Sequence, residues 1–259
     1  MQIFLAVAPD RQRHAAGFTD RLAHVAYQVG RDGHLTRQSL LARTFGGLMV
    51  LGDRDWTSVR DVSQLCREVW RECGNRNYGG VVADFEQPPS PDRSAFLDAL
   101  GRVLSRNRKH LFVPEAYGSQ TAFAQVLICT ALSGGVLRQR LEEAARVFGQ
   151  KRLALDLQRL RMSFPLPCPS GEGTPLAAGE LESLMNQRQP SVFYSGDLCA
   201  KYFTCALEGE SRFVLFDDAG TLRRKMQLGQ ELGIGVGLLM YPEVEDILPE
   251  LFGRQGPSL

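Results

Sequence analysis

The amino-acid sequence predicts an α/β fold: a closed (β/α)8 barrel with a small α+β insertion between its seventh and eighth strands. Short apolar runs alternate with amphipathic helical segments along the chain, as in parallel strands joined by right-handed crossovers. The length of 259 residues suits one barrel, which commonly takes about 250 residues. The alternation is interrupted once, by residues 164–214, and this interruption predicts the insertion.

The eight barrel strands are predicted from apolar runs bounded by turn residues or helices. They cover residues 3–8, 22–29, 47–51, 80–86, 110–114, 124–130, 152–157 and 235–240. Apolar side chains recur at helical spacing in residues 58–73, 94–106, 137–148 and 219–232. An open doubly wound sheet is the alternative. The first strand is not followed by Gly-x-Gly-x-x-Gly, and the number of strand–helix units favours the closed barrel.

The interruption begins with a proline-rich segment, Pro165-Leu-Pro-Cys-Pro-Ser-Gly-Glu-Gly-Thr-Pro175. A helix is predicted for residues 178–188, and strands are predicted for residues 191–195, 201–207 and 212–216. We interpret residues 164–214 as an α+β insertion within a single barrel domain that spans residues 1–259.

Composition excludes several classes of function. Hydrophobic residues make up 44% of the chain and the net charge is +1, so no strong field would attract nucleic acid. No apolar run approaches the ~20 residues of a membrane-spanning helix. The first residues carry no basic n-region or cleavage pattern, so we expect synthesis in the cytoplasm without a signal peptide. The six cysteines form no CxxC pair and the four histidines are dispersed, so we expect no metal site and no cofactor.

The fourth predicted strand carries two acids on one face. Side chains alternate along a strand, so Val82, Asp84 and Glu86 point one way, whereas the outer positions 81, 83 and 85 are all apolar. Unpaired carboxylates inside a protein are costly to desolvate, and acids at the carboxyl end of a barrel strand suit general acid/base chemistry. The alternative is that Asp84 and Glu86 are loop residues in solvent.

Other candidate residues follow the ends of further strands, where barrel enzymes carry their chemistry. The candidate substrate-binding residues are Tyr27, Gln28, Glu115, Tyr117, Met240 and Tyr241. For each, the alternative is a packed or solvated residue of the rim. Asp217 and Asp218 are expected to cap the following helix, with Asp218 near its positive N-terminal end, and Lys225 is expected at a solvated helix position.

Three segments resemble a known family. Gly80-Val-Val-Ala-Asp-Phe-Glu86 runs into Gln87-Pro-Pro-Ser-Pro-Asp92, which is similar to the strand-four signature of glycoside hydrolase family 18, the chitinase-like barrels, and most of all to its spore-cortex-lytic N-acetylglucosaminidases. Residues 22–35 and 213–237 resemble the second strand and the end of these barrels. The motif departs from the family pattern at Gly79 and Val82, which stand where two aspartates are expected.

The resemblance implies a substrate-assisted glycosidase, in which the N-acetyl group of the sugar is the nucleophile. Glu86 would protonate the glycosidic oxygen and Asp84 would hold the acetamido N–H. The family's tyrosine after strand six has no counterpart here, and the candidates to replace it are Tyr117 and Tyr27. The tryptophan of strand eight is also missing. Two alternatives stay open. One is an enzyme that acts on an oligosaccharide or on peptidoglycan, for which the resemblance implies an association with spores. The other is a catalytically inactive barrel that binds glycan or a protein partner.

Overall fold

The computed structural model describes residues 1–38, 44–59, 61–207 and 209–253. The strands in this part of the chain are β1 (Gln2–Val7), β2 (Leu22–Val29), β3 (Leu35–Arg37), β4 (Leu48–Gly52), β5 (Gly80–Asp84), β6 (His110–Pro114), β7 (Gln125–Cys129), β8 (Leu153–Asp156), β9 (Arg161–Leu166), β10 (Thr174–Pro175), β11 (Phe193–Ser195), β12 (Ala200–Leu207), β13 (Glu210–Phe216) and β14 (Val236–Met240). The helices are α1 (Gln12–Ala16), α2 (Val62–Asn75), α3 (Pro91–Arg106), α4 (Leu137–Phe148), α5 (Ala178–Arg188), α6 (Ala219–Glu231), α7 (Tyr241–Val244) and α8 (Leu248–Phe252).

Eight of these strands form a closed parallel barrel. They are hydrogen-bonded in the order β1-β14-β8-β7-β6-β5-β4-β2, and the pairing of β1 with β2 closes the ring. The short strand β3 pairs antiparallel with β2 outside the ring. The predicted (β/α)8 barrel is therefore confirmed, and the open doubly wound sheet is excluded. All eight carboxyl ends point to the same side of the ring, where the loops that follow the strands meet.

Two apolar layers hold the barrel. The interior is filled by one cluster of small and branched side chains: Ala6, Ala23, Leu48, Val50, Val82, Phe112, Leu127, Ala154 and Leu238. The alternate residues of the same strands point outward and pack against the helices in a larger cluster. This alternation places Val82 inside the barrel and Val81, Ala83 and Phe85 outside it, as the sequence predicts.

The chain around the fourth barrel strand differs from the prediction in two details. The strand β5 ends at Asp84 rather than at residue 86, because the backbone N–H of Glu86 turns to the carboxylate of Asp53. The helix α3 begins at Pro91, three residues earlier than predicted, with the Ser90 side chain accepting from the Arg93 N–H. Serine followed by proline at the first helical position is a start signal that the periodicity alone did not use.

The insertion forms a second sheet, antiparallel throughout, in the order β10-β9-β13-β12-β11. The helix α5 covers one face through Leu181 and Leu184, which pack against Phe203 on β12. The sheet starts at β9, ahead of residue 164, because residues 161–166 pair with β13. The insertion lies between β8 and β14, the seventh and eighth barrel strands. Part of its predicted turn, residue 208, lies outside the described residues, as does residue 60 of the helix predicted at 58–73.

Among the described residues, no helix is both long enough and apolar enough to cross a lipid bilayer.

Candidate active site

A cavity opens at the carboxyl ends of the barrel strands. Its volume is about 440 Å³, enough for one or two sugar rings. It is lined by side chains from the ends of β5, β6, β7, β8 and β14 and from the segments that follow them: Val82, Ala83, Asp84, Glu86, Pro114, Glu115, Leu127, Cys129, Asp156, Gln158, Leu238, Met240 and Glu243. Five of these side chains are carboxylates. In the described part of the chain, the lining contains no lysine, arginine or histidine and no aromatic ring.

Asp84 lies where strand alternation predicts it. It is the last residue of β5 and follows Val82 on the inner face, so its carboxyl group enters the cavity. The side chain is open to the water of the cavity, and yet the surrounding protein removes enough solvent to raise the pKa of Asp84 above its ordinary value. The negative charges of Glu86 and Asp53 act in the same direction, and Arg54 opposes them.

Glu86 lies just beyond the strand and lines the same cavity. Its side chain is 62% exposed and stands 3.6 Å from the guanidinium of Arg54. The expectation that both acids face one cavity agrees with this geometry. The alternative, that both are loop residues in solvent, describes Glu86 in part, because Glu86 is outside the strand and largely solvated.

A buried ion pair fixes the backbone at Glu86. The Asp53 carboxylate is fully buried; one oxygen accepts from the Glu86 N–H at 2.9 Å and the other from Arg93 Nε at 2.9 Å. Arg93 also lies over the ring of Trp56, with the guanidinium carbon 5.3 Å from the ring centroid. These contacts hold the backbone of Glu86 in place, although its side chain is exposed.

Asp156 is a cavity acid that the sequence analysis missed. It ends β8, pairs with Cys129 of β7 and Leu238 of β14, and continues the inner face after Ala154. Its side chain is half-buried, and Gln158 Nε2 donates to Oδ2 at 2.8 Å. Loss of solvent, reinforced by the charges of Glu243 and Asp84, raises the pKa of Asp156 to about 6, against the lowering effect of the Gln158 hydrogen bond.

The signal for Asp156 was present in the sequence. Residues 153, 155 and 157 are all leucine, whereas positions 154, 156 and 158 are alanine, aspartate and glutamine. This is the same alternation that identified Asp84. Glu243 was also missed; it lies in the short helix α7, and its Oε2 accepts from the Arg159 N–H at 2.9 Å. No local pattern in the sequence marks Glu243.

Three of the six candidate substrate-binding residues lie at or beside the cavity. Glu115 and Met240 line it, and Arg140 forms an ion pair with Glu115 from α4. Gln28 is not in the lining. It lies at the inner rim over Gly52, where an added Cβ would come within 2.3 Å of Gln28 Nε2, and its Oε1 accepts from the Arg54 N–H at 3.3 Å.

The three candidate tyrosines do not face the cavity, and their prediction as substrate-binding residues is corrected on that ground. Tyr27, Tyr117 and Tyr241 are all buried in the outer apolar layer. Tyr27 donates to Glu72 and contacts the hydroxyl of Tyr78. The hydroxyl of Tyr117 donates to the Gln87 carbonyl oxygen at 2.7 Å, and that of Tyr241 donates to Glu245 at 2.7 Å.

The position of Tyr27 has a specific cause. The pairing of β2 with β4 shifts register between Val25 and Tyr27, so that Tyr27 pairs with Leu51 and Gln28 with Gly52. A one-residue shift moves a side chain to the other face of a strand. Gln28 therefore takes the inward direction and Tyr27 the outward one. Tyr241 points outward for a simpler reason, since it directly follows the inward-facing Met240.

No group of three or more His, Cys, Asp or Glu side chains within residues 1–38, 44–59, 61–207 and 209–253 is arranged to hold a metal ion. The arrangement can nevertheless carry proton chemistry. It brings the exposed side chain of Glu86 into one cavity with two acids, Asp84 and Asp156, whose neutral forms are favoured by their surroundings. Positioned carboxyl groups can donate a proton to a bound substrate and accept one from it.

Comparison with protein-family models and with curated protein sequences finds no match. Comparison with solved structures finds chitinase-like barrels. The spore cortex-lytic enzyme SleL from Bacillus cereus aligns over 99% of this chain and 75% of its own, at 17% identity and a TM-score of 0.66. A chitinase from Chromobacterium violaceum aligns over 97% and 98%, at 16% identity and a TM-score of 0.68. A glycoside hydrolase family 18 N-acetylglucosaminidase from Paenibacillus barengoltzii aligns over 97% and 99%, at 12% identity and a TM-score of 0.70. The chain therefore has the (β/α)8 fold of the chitinase-like barrels of glycoside hydrolase family 18, which its fourth-strand motif resembles.

Proposed function

We propose that this chain is a glycoside hydrolase that acts on N-acetylglucosamine-containing glycans, with Glu86 as the general acid. One observation carries the proposal: Asp84 and Glu86 enter the same open cavity from the end of β5. The carboxyl ends of the strands are where (β/α)8 enzymes carry their active sites. The glycosidase neighbours in fold support the reaction class.

The proposed reaction is substrate-assisted hydrolysis with retention of configuration, an exception to the scheme of two carboxylates. The acetamido oxygen of the sugar attacks the anomeric carbon while the bond to the glycosidic oxygen breaks. The electron pair of that bond stays on the glycosidic oxygen, which takes the proton of Glu86. Asp84 accepts from the acetamido N–H and so orients the nucleophile. Water, deprotonated by Glu86, then opens the cyclic intermediate and restores the acid.

Peptidoglycan or a chitin-like glycan is the proposed substrate. The SleL proteins of Bacillus megaterium and Bacillus cereus are spore cortex-lytic enzymes, and this favours cell-wall glycan and, as part of the proposal, an association with spores. Chitinases among the neighbours favour chitin-like oligosaccharides.

A second candidate function is a catalytically inactive barrel that binds glycan or a protein partner. A specific observation favours it: both tyrosines that could replace the family's tyrosine, Tyr27 and Tyr117, are buried outside the cavity. The cavity lining in the described residues also contains no aromatic ring, so a sugar would lack a stacking floor.

The test is turnover of chitooligosaccharides and peptidoglycan fragments by the wild-type protein and by Glu86→Gln. We expect the substitution to lower turnover by about 10²–10⁴-fold, the usual contribution of a general acid. Glu182→Gln, at an exposed position of α5, is the matched control and should leave turnover unchanged. Equal turnover by wild type and Glu86→Gln would remove Glu86 as the acid. Glycan binding by the wild type without turnover would favour the inactive barrel.

A further inference from the structure

Asp156 is placed like a ligand-contacting residue rather than a structural one. It ends β8 on the inner face and lines the cavity together with Asp84 and Glu243. One of its carboxyl oxygens, Oδ2, accepts from Gln158 Nε2. In the described residues no cationic side chain lines this cavity. A half-buried acid that faces other acids costs folding free energy, so stability does not explain its presence.

The segment that follows Asp156 is held rigidly. The N–H of Leu160 donates to the buried Asp217 carboxylate at 2.9 Å, and the same oxygen accepts from Lys225 Nζ at 2.6 Å. Arg159 donates to Asp217 and to Glu243 through backbone and side-chain atoms. Rigid support of this kind is typical of residues that must hold a fixed geometry toward a ligand.

We propose that Asp156 is a further sugar-contacting residue of this cavity, which it lines together with Asp84. The inference rests on the proposed function, because it takes the ligand to be a glycan. N-acetylglucosamine is uncharged, and its ring, glycosidic and acetamido oxygens can only accept hydrogen bonds. The proposed contact is with one of these oxygens, to which a neutral carboxylic acid at Asp156 donates. An ionised carboxylate can only accept.

This contact makes glycan affinity depend on pH. Asp156 is neutral below its folded-state pKa of about 6 and ionised above it, so the donated hydrogen bond is present in mild acid and absent in mild base. The groups that face Asp156 from the packed elements are Asp84 of β5, Cys129 of β7 and Glu243 of α7. Asp84 also has a raised pKa, and the experiment therefore has to separate Asp84 from Asp156.

The experiment is calorimetric titration with N-acetylglucosamine tetramer and with peptidoglycan glycan fragments, at about pH 5 and about pH 7.5. The protein carries Glu86→Gln so that the ligand is not consumed. We expect affinity to fall about two- to tenfold between the two pH values, the net effect of one hydrogen bond. Adding Asp156→Asn should abolish the pH dependence and keep tight binding at both values, because an amide donates at any pH. Adding Asp156→Ala should weaken binding at the lower pH.

The matched control adds Glu182→Gln, which should leave the pH dependence unchanged. Thermal unfolding of each variant identifies any loss of folded protein, and the Asn variant, close in shape to aspartate, remains informative if the Ala variant does not fold. A pH dependence that persists with Asp156→Asn assigns the effect to Asp84 and overturns the inference, as does affinity that rises with pH. Absence of any glycan binding at both pH values would remove the proposed function and this inference with it.

Discussion

The ends of β5 and β8 carry the same local pattern in different surroundings. At the end of β5, Asp84 and Glu86 flank the outward-facing Phe85, and at the end of β8, Asp156 and Gln158 flank the outward-facing Leu157. Both outward residues are buried under the helices. In both places, the polar side chains reach the same cavity.

The two strand ends are also supported in the same way. A fully buried carboxylate accepts from a backbone N–H just beyond each strand: Asp53 from Glu86 and Asp217 from Leu160. Each of these carboxylates is paired with a cation, Arg93 or Lys225. The buried pair satisfies an otherwise orphaned backbone group and fixes the direction in which the chain leaves the barrel.

The difference lies in how much water reaches the acids. Glu86 is largely exposed and close to Arg54, whereas Asp156 is half-buried and its pKa is raised to about 6 by loss of solvent. Loss of solvent disfavours the charged form of a carboxyl group, which is the main cause of the raised pKa of Asp156. Two strand ends with the same local pattern therefore present acids to one cavity with different access to water.

The largest change in unfolding free energy is expected from breaking the buried ion pair of Asp217 with Lys225, which supports the segment after β8. Lys225→Met would leave the fully buried Asp217 carboxylate with two donors among the described residues, the Leu160 N–H and the Thr221 hydroxyl. Removing one partner of a buried pair typically costs about 3–5 kcal/mol, because the remaining charge is uncompensated. We expect a loss of unfolding free energy of that size, measured by urea denaturation.

The control for this prediction is Arg102→Met, which breaks the exposed pair of Arg102 with Asp98 on α3. Its expected cost is below about 1 kcal/mol. Similar losses for the two variants would contradict the view that β8 is held by a buried electrostatic support.

The barrel could be predicted from the sequence because its parallel strands are short apolar runs with clear turns between them. The site could be predicted only where the alternation was unbroken. The alternation of apolar and polar residues in β5 predicts that Asp84 points into the barrel. The same alternation in β8 marks Asp156, which the sequence analysis did not identify. Tyr27 could not be placed, because nothing in the sequence marks the register shift in β2 that turns it outward.

Lys225 was predicted to be solvated because of its residue type and is instead fully buried. The helical spacing gave the contrary signal, since Leu222, Lys225 and Gly229 lie on the buried face of α6. The expectation for Asp218 is confirmed, as its side chain caps α6 by accepting from the Thr221 N–H. Asp217, expected to share this role, is instead fully buried and forms an ion pair with Lys225. The buried pair of Asp53 with Arg93 joins residues that are far apart in the sequence. Such a pair can be identified only when the fold is known, and it was therefore not predicted.

A smaller change in unfolding free energy, a gain rather than a loss, is expected for Asp156→Asn. The folded-state pKa of Asp156 is raised to about 6 from the ordinary 3.8, so ionisation destabilises the folded state. This penalty is absent below about pH 4, grows as the pH rises through the folded-state pKa and is complete above it. The variant should gain about 1–3 kcal/mol of unfolding free energy near pH 7.5 and almost nothing near pH 4.

Urea denaturation at the two pH values measures this gain, and Asp20→Asn, at an exposed position beside Arg21, is the control. An equal gain at both pH values would mean that the amide packs better, and that the charge of Asp156 is not what the fold opposes.

The smallest change in unfolding free energy is expected at the end of β5, where Arg54 pairs with the exposed Glu86. Arg54 lies 3.6 Å from Glu86, and the two side chains are 75% and 62% exposed. Exposed ion pairs contribute about 0–1 kcal/mol because water and salt screen them. Arg54→Met should therefore change the unfolding free energy by less than about 0.5 kcal/mol and glycan turnover or binding by less than about threefold. Denaturation and calorimetry measure the two quantities. If turnover fell far more than stability, Arg54 would have to contact the glycan itself, and the solvated end of β5 would then be a binding surface rather than only the support of an acid.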